Sequence, residues 1–262
     1  MDTPNRAVEL LEVLLWGLDI LARPTFHNIV ESFESWQDRH HLRPRLRSLA
    51  RAGLVDLEGQ GPARRVRLTP AGRLCALGGV DPVARWNRPW DGMWRLLLFD
   101  LRGPQQALRL RLWRWLRQQR FGYLQHSVWV SPDPVDDSRL PLRPLGLSAE
   151  SYTVIEGRAA SPHRDVDLTQ GAWDFGEINR AYAGVIAVAR EGRALAARGE
   201  VSTLERRRWL LAQREAWLAA VARDPLLPKR LCPPGYLGPE AWRTREETLS
   251  RCLAPPSLGQ DM

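Results

Sequence analysis

Apolar and polar positions repeat with different periods along the chain, and the clearest pattern lies in its middle. A nearly continuous apolar run from Trp94 to Leu101 is soon followed by glycine and proline, which favours a buried strand over a helix. The next segment carries an apolar stripe at helical spacing, with arginines on its other faces. Residues 121–130 return to β-forming side chains. The order strand, helix, strand, strand predicts a ferredoxin-like βαββαβ domain over residues 90–158, closed by a strand at residues 151–156.

The N-terminal part shows helical spacing first and a hairpin pattern afterwards. The predicted elements are helices at residues 6–21, 26–33 and 41–52 and strands at residues 54–57 and 64–68. Gly53 suits the C-cap of the third helix, and Thr69 followed by Pro70 suits the start of a further helix. Three helices followed by a hairpin predict a winged helix-turn-helix domain over residues 1–80, with a linker at residues 81–89.

After Trp173 the apolar spacing is again helical and ends at Asp224-Pro225. A helical domain is expected over residues 168–254, and residues 255–262 are expected to be disordered. The whole chain is therefore predicted to be an α+β protein. Its parts would be an N-terminal winged helix-turn-helix, a central ferredoxin-like domain and a C-terminal helical domain.

Arginine is concentrated on the two elements of a winged helix that contact DNA. No acidic residue occurs from Arg39 to Leu54. A recognition helix enters the major groove, while side chains on the wing contact phosphates. The candidate DNA-binding residues are Arg39, His41, Arg43, Arg45, Arg47, Arg64, Arg65 and Arg67. His41, Arg43 and Arg47 are the candidates for the major groove. The alternative is that these arginines form only a solvated helix face. Pro44 is compatible with the third helix only if that helix starts near Arg43.

Composition narrows the classes of partner. The chain has 262 residues, 44% of them hydrophobic, which is enough for two or three small domains. Its formal net charge of +8 favours a polyanionic partner, with nucleic acid ahead of a membrane. No stretch of apolar residues is long enough to cross a membrane. Three widely spaced cysteines fit a reducing compartment, so the protein is expected in the cytoplasm.

The chain offers little that points to catalysis. Its five histidines and three cysteines lack metal-ligand spacing, and no phosphate-binding or nucleophile motif is present. No catalytic residue, metal or cofactor is therefore predicted. Asp100 is the one weighed exception, because paired acids across a dimer could hold Mg²⁺ for phosphodiester cleavage. A strand-end aspartate more often caps a turn, and His126 and Ser127 are likewise expected to be turn residues. Four tryptophans have either a core or interface role or line a pocket for an aromatic or acyl ligand: Trp86, Trp90, Trp94 and Trp113.

Three segments, PWDGMWRLLLFDL, FGYLQHSVWVSP and RDPLLPKRLCPPGYLG, resemble the PaaX family of bacterial transcriptional repressors (phenylacetic acid degradation regulators). The central segments are also similar to the small dimeric CRISPR adaptation nuclease. The resemblance implies a homodimeric repressor that binds double-stranded DNA. It also implies that an acyl-CoA effector, such as phenylacetyl-CoA, relieves operator binding, with the C-terminal domain sensing the effector or dimerising. No residue of the chain can be matched to an effector site. Two alternatives stay open: a metal-dependent nuclease using Asp100 at a dimer axis, and a scaffold that binds no DNA.

Overall fold

The computed structural model describes residues 45–59, 65–101, 106–135, 151–198 and 203–253. These residues form a mixed α+β structure with small antiparallel sheets, and they divide into two compact units. The first unit contains residues 45–59, 65–81, 180–198, 203–220 and 237–253. The second unit contains residues 82–101, 106–135, 151–179 and 221–236.

The first unit combines a β-hairpin with helices. Its elements are helical residues 45–51 (α1), β1 (Val55–Glu58), β2 (Arg65–Leu68), α2 (Pro70–Ala76) and α8 (Gly238–Leu253). Two longer helices, α6 (Phe175–Ala196) and α7 (Thr203–Arg223), contribute residues to both units. Several local predictions are confirmed. Gly53 follows α1 with a φ of +68°, and the two predicted strands pair as an antiparallel hairpin. Thr69 caps α2, whose first residue is Pro70.

One apolar core of the first unit joins α1, the hairpin and later helices. Leu46 and Leu49 of α1 and Val55 and Val66 of the hairpin are buried in it. The remaining buried members come from later in the chain: Ala76, Leu77, Trp209, Leu249 and Cys252. The hairpin has alternating exposure, so one of its faces packs on this core and the other faces solvent.

The second unit is built on a four-stranded antiparallel sheet. Its elements are α3 (Pro82–Asn87), β3 (Trp94–Phe99), α4 (Gln106–Gln118), β4 (Gly122–Gln125), β5 (Val128–Ser131), β6 (Tyr152–Gly157), α5 (Asp165–Ala172) and a 3₁₀ turn (Lys229–Leu231). The strand order in the sheet is β4-β5-β3-β6. The predicted succession of strand, helix, strand, strand is therefore confirmed. The second helix of the predicted βαββαβ pattern falls on residues 136–150, outside the described residues.

The face of the sheet that packs against α4 forms the core of the second unit. Leu97 on β3 lies opposite both Trp129 on β5 and Val154 on β6. Leu112 and Leu116 of α4 are fully buried against this layer. Their spacing is that of the predicted apolar stripe, and it leaves Arg111, Arg114 and Arg117 exposed on the other side of α4.

The tryptophans of uncertain role are accounted for in large part by packing. Trp86 and Trp94 are 4% and 1% exposed, and Trp113 packs against Tyr123 and Trp129. The indole N–H of Trp94 donates to the Asp165 carboxylate at 2.8 Å. Trp90 is tilted against Trp94 at 5.5 Å between ring centroids.

Two stretches differ from the sequence-based expectation. Residues 82–87, within the stretch expected to link two domains, form helix α3. Residues 165–172 form helix α5, which was not predicted. The expected helices at residues 6–21 and 26–33 and the expected disordered tail at residues 255–262 lie outside the described residues. None of the described helices is long and apolar enough to cross a membrane.

Candidate nucleic-acid interface

Helix α1 separates its leucines from its arginines. Leu46 and Leu49 are each 3% exposed and face the core, whereas Arg47 and Arg51 are exposed on the other side. Arg45 is half-buried. A spacing of four residues places Arg47 and Arg51 on the same helix face, one turn apart. Within the described residues, neither of these two arginines forms an ion pair with a carboxylate.

Backbone hydrogen bonds fix the end of α1 to the hairpin and to α2. The Leu54 N–H donates to Leu49 O at 2.9 Å, and the Thr69 N–H donates to Leu54 O at 3.1 Å. The Thr69 hydroxyl donates to Gly53 O at 2.7 Å and accepts from the Gly72 N–H at 3.0 Å. Because these bonds link both ends of the hairpin to α1, the exposed side of α1 and the exposed face of the hairpin belong to one rigid substructure.

The exposed face of the hairpin carries acids as well as arginines. In the observed register Asp56 lies opposite Arg67, and Glu58 lies opposite Arg65. All four side chains are exposed, and Arg67 Nη1 lies 3.8 Å from Glu58 Oε1. The described part of this face therefore has no net charge, whereas the exposed side of α1 is positive.

This arrangement weakens the predicted phosphate role of the hairpin relative to that of α1. An exposed ion pair contributes only about 0–1 kcal/mol, so Arg67 can exchange Glu58 for a phosphate at little cost. The carboxylates nevertheless stay beside any bound phosphate and repel it. Asp56 and Glu58 were missed by the sequence reasoning. Their period-2 spacing was visible, but their pairing with Arg65 and Arg67 depends on the hairpin register.

The structure places only part of the predicted DNA-binding set. Arg47, Arg65 and Arg67 are exposed on α1 and the hairpin, and Arg45 is partly covered. Arg39, His41, Arg43 and Arg64 lie outside the described residues, as does Pro44. The assignment of these residues to a DNA site stays a prediction.

Asp100, the acidic candidate for catalysis, lies at the end of β3. Asp100 is exposed just after β3, and its N–H donates to Ser151 O at 3.0 Å, next to the start of β6. Within the described residues, no three or more histidine, cysteine, aspartate or glutamate side chains are grouped so that they could hold a metal ion. His126, with a φ of +38°, and Ser127 form the turn between β4 and β5. The use of Asp100 in a nuclease stays a prediction.

The RDPLLP motif is held in the second unit by buried polar contacts. The Asp224 side chain, 1% exposed, accepts from the Leu226 N–H at 2.8 Å and from the Tyr236 hydroxyl. Two arginines from elsewhere in the unit donate to carbonyls of this stretch: Arg120 to Val221 O at 2.9 Å and Arg88 to Leu226 O at 2.5 Å. We call residues 221–236 the clasped segment. Burial raises the pKa of its Cys232 thiol to about 12, which makes this cysteine a poor nucleophile.

Asp133 orients the arginine that holds the clasped segment. Its carboxylate accepts from Arg88 Nε at 2.7 Å and from Arg85 Nη2 at 2.6 Å. Burial alone would raise the pKa of Asp133, but the hydrogen bond from Arg88 and the two positive charges outweigh it and hold the pKa below its ordinary value.

The second unit also contains an open groove of about 500 Å³, lined by Tyr123 and residues 170–176. Its volume lies in the range of small-molecule sites. Trp173 and Phe175 give it an aromatic side, and Asp174 places a carboxylate at its wall.

Comparison with known proteins identifies the second unit more clearly than the first. The family described as the PaaX protein central Cas2-like domain matches residues 87–169. A solved structure, the uncharacterized protein Rv0674 from Mycobacterium tuberculosis, matches with a TM-score of 0.54 and 21% sequence identity, over 93% of each chain. This similarity shows a shared fold. The search of curated proteins found no match. The match at residues 87–169 confirms the resemblance to the PaaX family and locates it in the Cas2-like central domain.

Proposed function

We propose that this protein is a DNA-binding transcriptional regulator of the PaaX type, acting in the cytoplasm as a homodimeric repressor. The family match supports a regulatory role rather than a catalytic one. The observation that carries the DNA-binding part is the exposed side of α1, where Arg47 and Arg51 lie one turn apart without a carboxylate partner among the described residues.

In this proposal α1 belongs to the recognition helix of a winged helix-turn-helix. Arg47 reaches the major groove, where an arginine can donate two hydrogen bonds to a guanine. The hairpin lies along the backbone, and Arg65 and Arg67 contact phosphates despite the acids opposite them. A ferredoxin-like arrangement of the second unit and the helices that follow it supply dimerisation and effector binding.

Relief of repression requires a difference in affinity between two states. Suppose the protein has one arrangement that binds DNA and one that does not. An acyl-CoA weakens operator binding only if its affinity is higher for the second arrangement than for the first. The groove lined by Tyr123 and residues 170–176 is our candidate for the acyl portion, because its wall is partly aromatic.

The DNA-binding part is tested by Arg47→Ala in an electrophoretic mobility shift titration with the DNA upstream of the protein's own gene. Loss of a base contact should weaken specific binding by about 1–3 kcal/mol, and binding to unrelated DNA should change much less. Arg190→Ala is the matched control, because Arg190 is an exposed helical arginine of the same unit. Wild-type affinity in Arg47→Ala would contradict the placement of α1 in the major groove.

A further inference from the structure

Helix α4 in the second unit presents arginines that neither the core nor the proposed DNA-contacting elements use. The sequence from residue 101 to residue 132 contains no acidic residue. Within it, Arg111, Arg114 and Arg117 lie on α4 and are exposed. Their spacing of three residues places them as successive neighbours along one side of the helix, over about 9 Å of its axis.

These three exposed arginines have no ion pair with a carboxylate of the described residues. Some other arginines do lie within 4 Å of a carboxylate: Arg67, Arg85, Arg88, Arg95, Arg164, Arg193 and Arg223. Across the described residues no carboxylate forms such a pair with Arg111, Arg114 or Arg117.

The cluster as a whole does not stabilise the helix. Like charges three residues apart destabilise a helix. Only Arg117, in the last turn, is favoured by the helix dipole. Two further arginines of the described part of this stretch are used differently: Arg109 donates to Leu101 O, and Arg120 donates to Val221 O. The exposed arginines of α4 therefore form a positive surface that a polyanion would neutralise.

Two kinds of polyanionic surface could neutralise these arginines, a membrane and a nucleic acid, and the buried side of α4 distinguishes between them. A membrane-binding amphipathic helix inserts its apolar face into the lipid. Leu112 and Leu116 are fully buried in the core of the unit, and Trp113 packs against Trp129, so this face is not available. Leu110, 47% exposed, is the large apolar side chain that α4 leaves at the surface. A rigid row of arginines without an insertable apolar face fits a phosphate backbone.

We propose that the exposed side of α4, carrying Arg111, Arg114 and Arg117, is a second contact surface for the phosphate backbone of double-stranded DNA. This inference rests on the proposed function, since it adds a backbone contact from the central domain to the contacts of α1 and the hairpin. It makes no base contact, so it contributes to affinity and salt dependence equally on all sequences.

The test compares two variants of the full-length protein, each of which loses three positive charges. One combines Arg111→Gln, Arg114→Gln and Arg117→Gln. The control combines Arg164→Gln, Arg193→Gln and Arg223→Gln, three partly exposed arginines that each have a carboxylate partner. Binding to a double-stranded DNA of random sequence is measured by fluorescence anisotropy over a series of KCl concentrations. The slope of log K against log salt should shrink by about 0.9 for each α4 arginine that contacts a phosphate, and by clearly less in the control.

A third variant, with lysine at the three α4 positions, should restore the slope, because a lysine contacts phosphate as a point charge. Equal slopes in the α4 variant and the control would overturn the inference. So would an α4 variant that loses binding to phosphatidylserine vesicles while its DNA binding is unchanged. If the wild type binds DNA and only Arg47→Ala impairs it, the proposed function stands and this inference fails. If the wild type binds no DNA, both fail.

Discussion

Individual residues of the first unit show how tightly the proposed DNA-contacting elements are joined. Gly72 in α2 lies so close to the turn after α1 that an added Cβ would be 1.9 Å from Leu54 O. That oxygen accepts from the Thr69 N–H, and the Thr69 hydroxyl caps α2. Gly72 therefore permits a backbone contact on which the attachment of the hairpin to α1 depends.

Gly72→Ala should destabilise the first unit by about 1–3 kcal/mol, because backbone must move to admit the methyl group. It should also weaken DNA binding, since the hairpin would shift relative to α1. Urea unfolding followed by circular dichroism measures the first effect. Gly184→Ala is the control: Gly184 lies inside α6 with no atom near an added Cβ, so alanine should stabilise by about 0.5–1 kcal/mol. Equal effects of the two changes would contradict the close-packing explanation.

Local signals at single residues were predictable from the sequence, and pairings between distant residues were not. Thr69, Gly53 and the leucine stripe of α1 follow from capping rules and helical spacing. Arg95 lies in the apolar run of β3 and is nevertheless 5% exposed, because Asp91 and Glu156 accept from its guanidinium. Glu156 cannot be assigned to Arg95 without the sheet register.

At the scale of elements, the clasped segment explains why the RDPLLP motif is so distinctive. It has little regular secondary structure, and its carbonyls are satisfied by side chains from far away in the sequence. Arg88 is central to this, since it bonds both Leu226 O and the Asp133 carboxylate. The motif was recognisable from the sequence as a family feature, but its role depended on contacts that no periodicity reports.

Asp133→Asn should loosen the clasped segment and destabilise the protein at neutral pH by about 1–3 kcal/mol, through the loss of charge-assisted hydrogen bonds. The pKa of Asp133 is lowered in the folded protein, so its stabilising effect is complete above the ordinary aspartate pKa and is lost as the pH falls below it. Urea unfolding between pH 7 and pH 3 should therefore show a flatter acid dependence in the variant.

Glu177→Gln provides the comparison for that experiment. Its ion pair with Arg223 belongs to the same unit, but the two side chains are 56% and 50% exposed. An exposed pair of this kind contributes about 0–1 kcal/mol, so this variant should retain nearly all of the stability. An acid dependence in Asp133→Asn as steep as that of the wild type would contradict the role of Asp133.

Strands and long helices were easier to predict than short helices. The strands of the sheet follow from short runs of apolar and β-forming residues, and α4 follows from its apolar stripe. Helices α3 and α5 have six and eight residues, which is too short for a periodic stripe to show. Trp86 on α3 and Thr169 on α5 are buried, so tertiary packing stabilises these helices where sequence signals are weak.

For the whole molecule, regulation by an acyl-CoA predicts that the effector changes both the stability and the DNA binding of the protein. A ligand that binds only the native protein raises its apparent stability, by about 2.7 kcal/mol at a concentration one hundred times its Kd. Phenylacetyl-CoA should therefore raise the melting temperature and, in a separate titration, release the operator DNA. Free coenzyme A is the matched control. Identical melting temperatures with the two compounds would contradict an effector site for the acyl group.

The core of the first unit also determines when, during synthesis of the chain, α1 and the hairpin can be fully buried against their partners. Leu46, Leu49 and Val66 share that core with Leu249 and Cys252 of α8. During translation α1 and the hairpin emerge roughly 10–40 s before α8, at synthesis rates of about 5–20 residues per second. Through that interval their apolar faces lack the partners that bury them. Under the proposed function, an incomplete chain released from the ribosome would lack the α8 side of this core and should therefore bind DNA less well than the finished protein.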